Sequence, residues 1–232
     1  MSTDTSNGPK SPVVALVSLL PAPTLGVLFG MLWFPGSFAG RTLFAACKIW
    51  VLAFPAAWHL LVLRRKAGWS PPLHGGLSVG AALGAAISLV IVGGYALIGR
   101  QMIDLNAFRT SLEQVGLADP KVYLIGSAYW VFINALLEEY VWRWFVVRQF
   151  EQLVPEAAAV VLSALAFTVH HVVAMSLYLP WVVTIVASAG IFVGAAAWSW
   201  CYVRYRSIWP GYISHAIVDM AVFGIGWVIL FE

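Results

Sequence analysis

The side chains able to do chemistry are few, and they lie in the second half of the chain. Adjacent carboxylates Glu138 and Glu139 precede Arg143, adjacent imidazoles His170 and His171 follow Phe167, and His215 precedes Asp219. Neighbours on a helix project about 100° apart, so the two glutamates are expected to have different surroundings. Glu139 and Arg143 stand i,i+4 with the acid N-terminal, the better orientation for an ion pair. That spacing predicts a Glu139 held ionised by Arg143, either as a knot tying helices together or as a positioned charge. Glu138 lacks a sequence-local cation and is the candidate general base. By the same angular argument, at most one of His170 and His171 shares a site with Glu138. Phe167, one turn before His171, is placed to pack beneath its imidazole. His215 and Asp219 fall on one face of an otherwise apolar helix, where they could bind one ion or hold a substrate carbonyl. His171, His215 and one carboxylate would also make a metal triad. No HExxH, CxxC or Cys/His cluster accompanies them, so neither a metal nor another cofactor is expected.

These residues must be positioned inside lipid. Of 232 residues, 61% are hydrophobic and 10% charged, and the mean hydropathy is +0.86. A soluble domain carries about 25% charged residues, and a water-exposed globule could not hide this much apolar surface. The same numbers exclude a disordered chain, a basic nucleic-acid-binding domain and a secreted disulfide scaffold. Cys47 and Cys201 both sit in apolar runs and read as buried thiols. Apolar runs at 13–34, 43–63, 77–98, 122–147, 156–179, 181–203 and 208–231 predict an all-α, polytopic bundle of about seven transmembrane helices. Pro21, Pro23 and Pro55 predict kinks in the first two. Gly80, Gly84, Gly93, Gly94, Gly190 and Gly194 predict close helix contacts.

Orientation follows from cations. Arg64-Arg65-Lys66 after the second run places that loop, and therefore the N-terminus, in the cytoplasm; Arg148, Arg204 and Arg206 then fall on the same side. The opposing segment mixes Arg100, Asp104, Arg109, Glu113, Asp119 and Lys121 with Met102, Ile103, Leu105, Phe108 and Leu112, which predicts an interfacial amphipathic helix. The first ten residues read as a short polar tail without a cleavable leader. Lys48 and His59, in the second run, are close enough to its ends to snorkel. No internal repeat supports a transporter.

Glu-Glu-x-x-x-Arg at 138–143, Phe-x-x-x-His at 167–171 and His-x-x-x-Asp at 215–219, in that order, resemble the CPBP family of CAAX prenyl endoproteases and bacteriocin-processing or self-immunity (Abi) membrane proteins. The resemblance covers residues 122–231. It divides the chain into helices one to three plus the extracytoplasmic loop at 1–121 and a catalytic core at 122–232. It implies a glutamate-dependent intramembrane endopeptidase in a bacterial or archaeal cell membrane. By matching position, Glu138 is the catalytic glutamate and His171 the histidine that helps activate water. His215 and residue 219 are the pair facing the oxyanion, and Glu139 and Arg143 are the motif's second glutamate and its arginine. The substrate implied is a peptide or protein with a membrane-proximal, prenylated or C-terminally tagged cleavage site. The partners expected are that substrate and the bilayer, with no nucleic acid. The sequence departs from the family at Asp219, usually Asn, and at Trp144, often Gly. The alternative is a non-catalytic immunity or scaffold protein that binds a membrane peptide.

Overall fold

A computed structural model describes residues 10–66, 70–102, 104–114 and 116–232. The polar tail at 1–9, and Ile103 of the amphipathic segment, lie outside the described residues. Among those described, the fold is helical throughout, with no strand. Six helices are long and apolar enough to cross a membrane: α1 (Pro12–Trp33), α2 (Phe38–Val62), α3 (Leu77–Met102), α6 (Glu156–Ser176), α7 (Trp181–Tyr205) and α8 (Trp209–Phe231). Between them lie the short helix α4 (Leu105–Gln114) and α5, a continuous helical run over 120–150 that carries Glu138, Glu139 and Arg143. The molecule is an integral membrane protein.

Local chemistry explains the interruptions. The helix broken at Leu20 restarts with Pro21 at its first position, where a missing N–H costs nothing. Pro55 lies inside α2, and hydrogen bonding shifts to the wider i→i+5 pattern immediately after it, over Trp58–Val62. The same π-type pattern occupies Tyr129–Asn134 and Tyr140–Val147, on both sides of the two glutamates. α5 begins with Asp119, whose carboxylate accepts from the N–H groups of Lys121 and Val122, followed by Pro120.

One apolar cluster joins the two halves of the chain: Leu16 and Leu19 of α1, Phe54 of α2, Trp142 and Phe145 of α5, Phe167 of α6 and Trp198 of α7. α3 packs along α8. A Cβ at Gly80 would collide with the Pro210 carbonyl, and one at Gly84 would lie 2.9 Å from Ser214, so glycine is what lets these backbones meet. Gly93, Gly94 and Gly190 face open space and make no such contact. The amphipathic segment forms α4, anchored where Arg109 donates to the Ile229 carbonyl at 2.6 and 3.0 Å. At the other end of the bundle, Arg65, Arg148 and Arg206 line one cavity of about 330 Å³. There Arg206 closes α7 with φ 49° and grips Glu151 at 2.6 Å.

Candidate active site

α5, α6 and α8 bring the predicted residues to one place. Glu139 and Arg143 are both 0% exposed, with Nη1 to Oε1 at 3.2 Å. Arg143 lies 4.8 Å from the centre of the Phe167 ring and 5.1 Å from that of Trp198, so its cation is enclosed by aromatic faces. His215 is the hub. Its Nδ1 donates to Glu139 Oε1 at 3.1 Å. Its Nε2 faces Glu138 Oε2 at 3.7 Å and Asp219 Oδ1 at 3.8 Å. The imidazole lies flat on the Trp198 indole, with centroids 4.0 Å apart and planes 15° apart. Trp198 is in turn fixed by a 2.9 Å bond from Nε1 to Ser214 Oγ. Gly211 makes room for this arrangement, since a Cβ there would run into Glu139 Oε2.

The expectation that the two glutamates have different neighbours is corrected here. Their side chains do leave the helix in different directions, but one imidazole is wide enough to touch both, through opposite nitrogens. The limit of one histidine near Glu138 is corrected as well. Ligand atoms of Glu138, His170 and His171 all lie within 4.8 Å of one another, and the two rings are 4.1 Å apart. Such a grouping has the spacing of a metal site, with His170 standing where the sequence triad had His215.

His171 Nδ1 donates to the Phe167 carbonyl at 2.9 Å, which leaves Nε2 as the acceptor. The Phe167 ring sits 4.5 Å from that of His171. His170 stacks on Trp142 at 5.5 Å, and its Nδ1 is buried without a hydrogen-bond partner among the described residues.

Two further residues complete the cluster. Asn134, one turn before Glu138, donates from Nδ2 to Glu138 Oε1 at 2.9 Å. Its Oδ1 accepts from Lys48 Nζ at 2.7 Å. Lys48 therefore reaches inward across the bundle rather than snorkelling to an end. His59 meets the Lys66 carbonyl at 3.0 Å and the Trp144 ring at 4.9 Å. Asn134 was findable from sequence, as a polar residue i,i−4 to a glutamate in an apolar run. Trp198 was not, being one of 12 tryptophans. Cys201 is buried and Cys47 half-buried, and both are free.

Fold and site together define a polytopic helical membrane protein built around a buried carboxylate–histidine cluster. Residues 120–221 match the family model of the Rce1-like proteins, described as type II CAAX prenyl endopeptidase. The matched segment, under half of the chain, is similar to those endopeptidases and contains Glu138, Glu139, Arg143, Phe167, His171, His215 and Asp219. Neither the curated proteins nor the solved structures contain a match to the chain.

Proposed function

We propose that this protein is an intramembrane endopeptidase that hydrolyses a peptide bond near the C-terminus of a membrane-associated, prenylated or tagged substrate. The observation that carries this reading is the setting of Glu138. One oxygen is occupied by Asn134, the other is free towards His215, and His171 stands beside it with an unoccupied Nε2. Glu138 and His171 share a water, Glu138 takes its proton, and the resulting hydroxide attacks the scissile carbonyl carbon. The electron pair displaced onto the carbonyl oxygen is met by the Nε2–H of His215 in its imidazolium form, whose Nδ1–H is held by Glu139 and whose ring lies on Trp198. Collapse breaks the C–N bond, and the proton on Glu138 passes to the leaving amine. Asp219, 3.8 Å from His215 Nε2, adjusts that donor. The active site opens towards the cytoplasmic half, with the N-terminus and the Arg64-Arg65-Lys66 end of the bundle inside.

The test is cleavage of a farnesylated CAAX reporter peptide by the purified protein in lipid. Glu138→Gln abolishes cleavage with the fold intact, whereas a scaffold that only binds the peptide retains its function in that variant. The grouping of Glu138 with both His170 and His171 favours a second reading, hydrolysis assisted by a metal held on those three residues. Under the first reading chelation leaves cleavage unchanged, and His170→Ala costs far less than His171→Ala. Under the second, chelation and both substitutions silence the protein alike. Orientation is tested by Arg65→Cys. Labelling by an impermeant reagent applied to intact cells would reverse the topology.

A further inference from the structure

One polar contact path into the cluster starts outside the matched segment. Lys48 lies within α2, a membrane-crossing helix whose residues on either side are apolar or small. Its ammonium donates to Asn134 Oδ1 at 2.7 Å, and Asn134 Nδ2 donates to Glu138 Oε1 at 2.9 Å. Asn134 is buried. The orientation of its amide follows from the partners alone. An ammonium only donates and a carboxylate oxygen only accepts, so the carbonyl must face Lys48 and the NH₂ must face Glu138.

We propose that Lys48 is a positioning residue for Glu138, acting through the Asn134 amide. This rests on the reading of Glu138 as the general base. A cation on the carbonyl side polarises the amide, which makes its N–H a stronger donor to the carboxylate. Oε1 is thereby engaged and the carboxyl plane fixed, and Oε2, which faces His215 Nε2 at 3.7 Å, is the oxygen left to take a proton. The arrangement gives the N-terminal helices a direct part in the chemistry of the matched domain. Without Lys48 the amide keeps only its contact with the carboxylate, so its N–H is a weaker donor and Oε1 is held less firmly. Arginine also only donates and keeps its charge, so it can polarise the amide in the same sense; methionine, of similar length and without charge, cannot.

The deciding measurement is infrared difference spectroscopy on the purified full chain in lipid nanodiscs, with the Glu138→Gln spectrum subtracted to isolate the Glu138 carboxylate bands. Lys48→Met and Asn134→Leu should move those bands alike, the double variant should move them no further, and Lys48→Arg should leave them in place. Unmoved bands in Lys48→Met would overturn the proposal, as would equal displacement in Lys48→Arg. If Asn134→Leu fails to fold, the two Lys48 variants decide alone. In cleavage of the farnesylated reporter, Lys48→Met should lower kcat about tenfold with KM unchanged, the loss expected for one charge-assisted hydrogen bond felt only during reaction. A reporter that Glu138→Gln still cleaves would refute the general-base reading, while the infrared bands would still report whether Lys48 sets the carboxylate.

Discussion

The two nitrogens of His215 look onto two different environments. On the Nδ1 side, Glu139 and Arg143 are 0% exposed and enclosed by Phe167, Trp198 and the bare backbone of Gly211. On the Nε2 side, the Glu138 and Asp219 side chains keep 17% and 19% of their surface, and their oxygens stand beyond hydrogen-bond distance. The first side is closed to solvent, and although Glu139 Oε2 and Arg143 Nε have no hydrogen-bond partner among the described residues, the bond from His215 to Glu139 fixes where the ring sits. The second is partly exposed, so under the proposed function it is the side that takes the water and the substrate. On the proposed reading, chemically similar groups thus divide into support and reaction by their packing.

The division can be broken at several points. The largest effect expected is on the open side: Glu138→Gln should lower kcat by about 10²–10⁴-fold, the usual contribution of a general base, with an unchanged melting temperature. Glu139→Gln should instead destabilise the fold by about 3–5 kcal/mol, because it leaves a buried guanidinium unpaired. Thermal unfolding of the two variants in one lipid compares them directly, and equal losses would erase the distinction. Gly211→Ala forces a methyl against Glu139 Oε2 and should cost about 1–3 kcal/mol, with activity falling only as far as His215 is displaced. The smallest effect is expected at Asp219→Asn. An amide still offers an N–H, so activity with the reporter should be kept or raised, and the active range extended to higher pH because an amide cannot ionise. A well-folded variant inactive at every pH would move Asp219 to the supporting side.

Much of the closed side was legible in the sequence, because its defining contact is local. The i,i+4 spacing of Glu139 and Arg143 is a property of one helix, as is Phe167 beneath His171. The convergence of α5, α6 and α8 was legible only as a resemblance of motifs. Wheel angles failed for Glu138 and Glu139, and for His170 and His171, because they describe where Cβ points. They do not describe where the end of a long side chain or the far side of a ring arrives. π-type turns flanking the glutamates also break the 3.6-residue period that such angles assume. Lys48 and Trp198 were beyond sequence reasoning, since their partners are 86 and 16 residues away and depend on how helices are arranged.

The pairing of Glu139 with Arg143 inside one helix also bears on biosynthesis. The chain emerges N-terminus first, so α5 reaches the bilayer before α8, and His215, exists. A helix bringing lone charges into hydrocarbon at that moment would be held back at the interface. Here Glu139 and Arg143, one turn apart, neutralise each other within the segment itself, which leaves Glu138 as the one charge in the middle of α5 without a counterion on its own helix. When α8 arrives as the second arm of the hairpin begun by α7, Trp198 and His215 enter together, and the ring is delivered to a carboxylate already in place.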